Sequence, residues 1–226
     1  MNGLIDIVNK NEILVILPSR GRPEKIKHFY ELFKKNSTIS DICFGLDDDD
    51  FESYGIEEDV IYSVNKNMRL CPKINFIANQ FVNEYKYICF IGDDVKVNTY
   101  GWDSILVEPL KNKVGISYGN DYYHGEGLPN TFIVNSEIIK SLGWFVPPVL
   151  NHFYMDNFYK DLGKELGILH YFPDVNLEHN HYTNGKNNFD DTYKAAGNMQ
   201  EDEVRYNSYK QSSFADDVNK IRSLIK

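Results

Sequence analysis

The chain has 226 residues, 42% of them hydrophobic and 25% charged, enough for one sizeable α/β domain with a real core. A formal net charge of -9 argues against a generally basic binder of nucleic acid, leaving room only for a local basic groove. The three cysteines, Cys43, Cys71 and Cys89, are odd in number, and two sit in apolar strand-like runs; they imply reduced core residues, not a disulfide framework or a zinc site. No segment reaches the apolar length of a membrane span, and Met1 to Asn11 lacks the basic start and apolar stretch of a signal peptide. The expectation is a soluble, cytoplasmic protein.

Ile13 to Leu17 is a continuous apolar run, the pattern of a strand buried on both faces, and it ends in Pro18-Ser19-Arg20-Gly21-Arg22-Pro23. Ile26, Phe29, Tyr30 and Phe33 then recur at helical spacing, so the unit reads strand, loop, helix. The loop's composition suits a nucleotide diphosphate: arginine is a planar, permanent donor, and glycine lets the backbone approach closely. It is not a Walker loop and lacks the dinucleotide fingerprint. Asp41 to Leu46 is the next strand, running into four consecutive acids. Of these, Asp47 and Asp48 are placed to accept from a ribose hydroxyl or a base amino group. Val60 to Val64 gives a further strand, followed by a helix with Ile74, Ile77, Ala78 and Phe81 on one face and Asn75 near its start.

Tyr87 to Ile91 is again apolar and β-branched, and Gly92 ends it, so Asp93 and Asp94 sit at a strand's carboxyl end. In open α/β sheets that edge is where ligands bind. Two adjacent carboxylates there repel unless a cation or a donor-rich ligand neutralises them, and a divalent metal holding a phosphate is the economical reading. The βαβ rhythm up to Asp103 reads as a nucleotide-binding half, residues 1–103.

Residues 104–193 read as an acceptor-binding half of the same domain. Ile105 to Leu110 is a short helix, Val114 to Tyr118 a strand, and Gly119 to Gly127 a polar, aromatic, glycine-rich loop suited to a lid or an acceptor contact. Asn130 to Val134 resumes as a strand, Ser136 reads as an N-cap, and the helix stops at Gly143. Asp156 falls near the start of a helix carrying Phe158, Tyr159, Leu162 and Leu166, where a carboxylate serves either as a cap or as a catalytic group. Tyr171 to Leu177 leads into Glu178-His179-Asn180-His181, whose two histidines at i, i+2 on an extended segment face one side. The remainder, 194–226, reads as a helical tail with sparse apolar residues.

In this order and at these strand ends, the residues resemble the GT-A glycosyltransferases, in particular the short single-domain type common in bacteriophage genomes. The carriers are Pro18 to Pro23, Leu46 to Asp50, Ile91 to Asp94 with Gly101-Trp102-Asp103, Leu142 to Phe145, His152 to Asp156, Glu178 to His181, and Lys186 with Asp191 and Tyr193. The resemblance implies an α/β, GT-A fold: a Rossmann-like, mostly parallel central sheet flanked by helices in a single compact domain. It implies a nucleotide-sugar donor, with UDP as the nucleotide, held by Pro18, Ser19, Arg20, Arg22, Asp47, Asp48, Asn75 and Asp93. It also implies Mn2+ or Mg2+ held by Asp94 with His179 or His181, and Asp156 as the base for a hydroxyl acceptor if the anomeric centre inverts, or as a group orienting the acceptor if it is retained. The third position of the family's Asp-X-Asp motif is Val95, which cannot ligate, so Asp94 is assigned to the ion and Asp93 to the ribose or a water-mediated contact. The acceptor stays open between a modified DNA base, a protein and a surface polymer; for DNA, Lys140, Lys160, Lys164 and Lys186 would flank a basic groove. Two other readings stay open: a non-catalytic nucleotide-sugar or carbohydrate-binding module, and a nucleotidyltransferase.

Overall fold

The computed structural model describes residues 11–55 and 60–225; the segment read as lacking a leader, apart from Asn11, lies outside the described residues. In the first half, β1 (Ile13–Pro18), β2 (Ser40–Asp47), β3 (Ile61–Asn65) and β4 (Tyr87–Phe90) pair in parallel as β3-β2-β1-β4. Their connections carry α1 (Pro23–Asn36) and α2 (Leu70–Phe81). β1 is buried along its whole length, and its residues alternate between two cores: Leu14 and Ile16 pack on the α2 side, Ile13, Val15 and Leu17 on the α1 side.

The second half continues the same sheet. β5 (Val95–Val97), β6 (Ile116–Asn120), β7 (Phe132–Asn135) and β8 (Leu169–His179) complete the order β3-β2-β1-β4-β7-β6-β8-β5. β7 joins β4 antiparallel, and β6 then pairs antiparallel with β7 and parallel with β8. β5, unread in the sequence because it has three residues, pairs antiparallel with β8 in the register Val95 to His179. That pairing brings the two ends of the chain's chemistry together.

The helices of this half are α3 (Trp102–Val107), α4 (Ser136–Leu142), α5 (Met155–Leu166), α6 (Asp191–Ala195), α7 (Met199–Ser212) and α8 (Phe214–Arg222). α3 starts earlier than its apolar pattern suggested. Asp103 is fully buried and accepts from the amides of Thr38 and Ile39 and the Ser40 hydroxyl, each at 2.8 Å, which joins α3 to the α1–β2 link. The Gly-Trp-Asp triplet is therefore scaffold. The N-cap expected at Ser136 is Asn135; Ser136 is the first helical residue, and its hydroxyl donates to the Tyr85 carbonyl at 2.7 Å. α4 does stop at Gly143, whose φ of +83° is the left-handed cap that glycine takes without strain. The tail is not loose: Tyr206, Tyr209, Val218 and Ile221 are buried in the core on the α2 side.

Candidate active site

A cleft of about 1100 Å³ opens at the carboxyl ends of β1, β2 and β4, walled on its far side by the loops after β6 and β8 and by the start of α5. The Pro18 to Pro23 loop forms its floor. Ser19 donates to Asp93 Oδ2 at 2.7 Å, and Arg22 Nη1 donates to Asp93 Oδ1 at 2.6 Å. Asp93 is thus held by the very loop expected to share the donor with it. Burial raises its carboxyl above the usual range, against the pull of Arg22. Arg22 is itself buried, and its Nε and Nη2 clasp Asp190 at 2.8 and 2.7 Å.

At the tip of β2, Asp47 is 1% exposed, between Lys73 Nζ at 2.6 Å and Arg20 Nη1 at 3.0 Å. Arg20 also forks onto Asp49 at 2.6 and 2.9 Å. Asp48, by contrast, is exposed and does not line the cleft. Nor does Asn75: its side-chain oxygen accepts from the amides of Phe145 and Val146 at 2.8 and 2.7 Å, and its nitrogen donates to the Val146 carbonyl. It sits mid-helix, joining α2 to the segment after α4. Lys73 was missed because a lysine one turn into a helix looks like solvated surface; here it is 4% exposed.

The β5–β8 register puts Asp94 against the end of β8, where the Asn180 amide donates to the Asp94 carbonyl at 2.8 Å. Asp94 Oδ2 lies 3.3 Å from His179 Nε2 and accepts from the Tyr193 hydroxyl at 2.7 Å. Burial pushes this carboxyl up, but the bond to His179, its charge and Tyr193 outweigh that and hold it at about 2. His179 lies above the ordinary imidazole value, since Asp94, Asp121 and Asp156 overcome its desolvation. The His179 and His181 ring centres are 5.2 Å apart, on one side as the i, i+2 spacing implies; His181 Nδ1 is bonded to the Thr183 hydroxyl at 2.6 Å, and among the described residues no hydrogen bond occupies Nε2.

Two further groups gain their contacts only in the fold, though Asp191 and Tyr193 of the second were among the carriers of the resemblance. Asp121, 3% exposed, accepts on Oδ1 from the amides of Tyr123, His124 and Gly125 and faces His124 Nδ1 at 2.9 Å. Asp121, His124 and His179 each bring one ligand atom within 4.8 Å of the others, a group able to hold a metal ion. Nothing in the bare string separates this aspartate from an ordinary loop residue; the contact with His179 is made across the sheet. Second is the strap of residues 187–197 containing α6. Besides Asp190 on Arg22 and Tyr193 on Asp94, Thr192 donates to the Arg20 carbonyl at 2.7 Å, and Arg69 Nη1 donates to the Ala195 carbonyl at 2.6 Å.

Asp156 lines the same cleft, the second residue of α5. The Asn157 amide donates to its Oδ1 at 2.8 Å, and among the described residues no other side chain is bonded to it. Burial raises its carboxyl, with the Asn157 amide and the charges of His124 and His179 opposing. The preceding Tyr154 has φ of +70°, a left-handed conformation that costs a non-glycine residue energy and turns the chain sharply into the helix. Just upstream, Asp202 of α7 accepts from the amides of Asn151, His152 and Phe153 at 3.2, 2.8 and 2.9 Å and fixes the approach to that turn.

No protein-family model and no curated protein matches the sequence. Solved structures do match in shape. A mannosyltransferase from Pyrobaculum calidifontis, PcManGT, solved with GDP-Man and Mn2+, superposes with a TM-score of 0.55 at 10% identity, over 97% of this chain and 76% of that one. S. aureus TarS 1-349 superposes with a TM-score of 0.53 at 11% identity, over 74% of this chain; the match spans about 59% of the TarS chain. At such identities the likeness is one of fold: this chain has the GT-A fold.

Proposed function

We propose that this protein is a metal-dependent glycosyltransferase that moves a sugar from a nucleotide-diphosphate donor, a UDP-sugar, to a hydroxyl acceptor. The observation that carries this reading is the meeting of Asp94 with His179 at 3.3 Å, in one cleft with Arg22 and Asp156. Two ligands on adjacent corners of one octahedral ion stand about 3 Å apart, so a carboxylate oxygen and an imidazole nitrogen at this separation fit Mn2+ or Mg2+. Asp94 and His179 would hold the ion, with His181 Nε2 or the Asp121–His124 pair completing the set. When bound it would supply Lewis-acid neutralisation of the departing diphosphate.

The chain's own residues do the rest. Asp47, fixed by Lys73 and Arg20 at the tip of β2, accepts from the donor's ribose or base, and Lys73 donates beside it. Arg22 and Arg20 face the diphosphate, Arg22 once Asp190 lets go, and Ser19 keeps Asp93 in place. Asp156, carrying a raised affinity for a proton, takes one from the acceptor hydroxyl as the new glycosidic bond forms. A thermal-shift panel of nucleotide sugars with and without Mn2+ tests this directly. UDP-sugar plus Mn2+ is expected to raise Tm by several degrees; a chain that no nucleotide sugar stabilises in either condition would not be such an enzyme.

A further inference from the structure

The loop after β6 presents two aromatic rings to solvent from a backbone that is tightly held. Asp121 accepts from three consecutive loop amides, Asn120 Oδ1 accepts from the Tyr122 amide at 2.9 Å, and Tyr118 donates to the Glu126 carbonyl at 2.8 Å. Within this frame Tyr122 has φ of +54°, left-handed and unusual for a residue with a side chain. The frame could have turned these rings inward. Instead Tyr122 is 57% and Tyr123 41% exposed, and among the described residues no hydrogen bond or ring contact occupies the Tyr122 side chain. Tyr123 lines the cleft, its ring 6.5 Å from that of His181; Tyr122 stands outside the lining, so the surface runs from inside the cleft outward.

Facing the cleft as well are Asp156 and Asn157, and among the described residues no hydrogen bond occupies the Asn157 amide side chain. The exposed Tyr122 ring, the half-exposed Tyr123 ring, which lies 4.1 Å from the His124 ring with its hydroxyl bonded to that of Thr183 at 2.8 Å, and the Asp156 carboxylate and Asn157 side-chain amide of the same cleft match the two kinds of surface a sugar ring offers. Its C–H face packs against the electron-rich face of an aromatic ring, and its rim of hydroxyls both donates to carboxylates and accepts from amides. A nucleic acid strand would also stack, but it brings a phosphate every few ångströms and needs cations to meet them. Here none of Lys140, Lys160, Lys164 and Lys186 lines the cleft, and the cations that do are already engaged: Arg20, Arg22, Lys73 and Lys194 pair with carboxylates, and Arg69 donates to the Ala195 carbonyl. Lys140 and Lys186 are paired with Glu137 and Glu178 at 2.9 and 2.6 Å.

Resting on the glycosyltransferase reading, we propose that Tyr122, Tyr123, Asp156 and Asn157 form the acceptor subsite, and that the acceptor is an uncharged glycan extending past the cleft mouth. The test applies the full chain to an array of neutral glycans, acidic glycans, single-stranded DNA and hydroxyl-bearing peptides, with UDP plus Mn2+ binding measured separately by calorimetry. Neutral glycans of two or more units are expected to bind, with affinity falling about tenfold or more in Tyr122→Ala and Tyr123→Ala and restored in Tyr122→Trp. UDP binding should stay unchanged in both Tyr122 variants. Because Tyr122 is 57% exposed and among the described residues no hydrogen bond or ring contact holds its side chain, its alanine variant should keep the parent Tm. Binding of DNA, peptide or only acidic glycans, no glycan bound at all, or glycan affinity unaltered in both alanine variants would overturn the proposal. Loss of UDP binding by the parent chain would instead strike the donor reading.

Discussion

At the scale of single residues the site is a set of carboxylates whose partners separate their roles. Asp93 is surrounded by a serine and an arginine of its own protein, whereas Asp94 faces an imidazole that could share an ion with it and a phenol that the ion would displace. Asp94→Ala is therefore expected to lower metal-dependent transfer by at least about a hundredfold, in the range seen when one group stabilising developing charge is removed, read as initial rates at saturating Mn2+. Asp156→Asn should abolish transfer to the acceptor while leaving the donor's binding constant within about twofold, and a variant with parental turnover would remove Asp156 from the chemistry. Asp202 makes a separate, structural claim. Burial pushes its carboxyl up, but the amides of Phe153, His152 and Asn151, with Arg205, outweigh this and hold it below the ordinary range. A depressed folded pKa means that its stabilisation is complete above the unfolded value of about 4 and is lost as pH falls through the folded one. Asp202→Ala should then cost about 2 kcal/mol at neutral pH, as expected for buried amides left unpaired, with the gap to the parent narrowing in acid denaturation.

At the scale of elements, the strap with α6 has the largest consequence. Its Asp190 clasps Arg22, and its Tyr193 donates to Asp94. If the donor and ion bind as proposed, they would displace these contacts, and apparent affinity would be lowered by the cost of releasing them. Asp190→Ala is expected to tighten UDP binding in the presence of Mn2+ by about three- to tenfold in calorimetry; weaker binding would mean that Asp190 instead belongs to the donor site. Elements were also where the sequence was legible in part. The long apolar runs of β1, β2 and β4 and the helical spacing in α1 and α2 were readable because burial on both faces, or on one stripe, leaves a periodic mark. β5 left none, being three residues whose meaning lies in their register with β8. Asn75 misled for the complementary reason: a polar residue inside a helix can serve the neighbouring backbone as readily as a ligand.

At the scale of the whole molecule, one sheet gathers residues from Ser19 to Tyr193 around a single cleft. The strand-end aspartates, both histidines and Asp156 were visible in sequence because each follows an apolar run or opens a helix. Lys73, Asp121, His124 and the strap contacts were not, since each acquires its role from a partner between 26 and 172 residues away or from a loop that only the folded chain closes. Among the described residues no helix is long and apolar enough to cross a membrane. The most direct measurement is the anomalous scattering of a crystal grown with Mn2+ and UDP. The account predicts one manganese peak within bonding distance of both Asp94 Oδ2 and His179 Nε2, beside the diphosphate. Manganese bound away from Asp94, or UDP bound elsewhere than the β1–β4 edge, would contradict it.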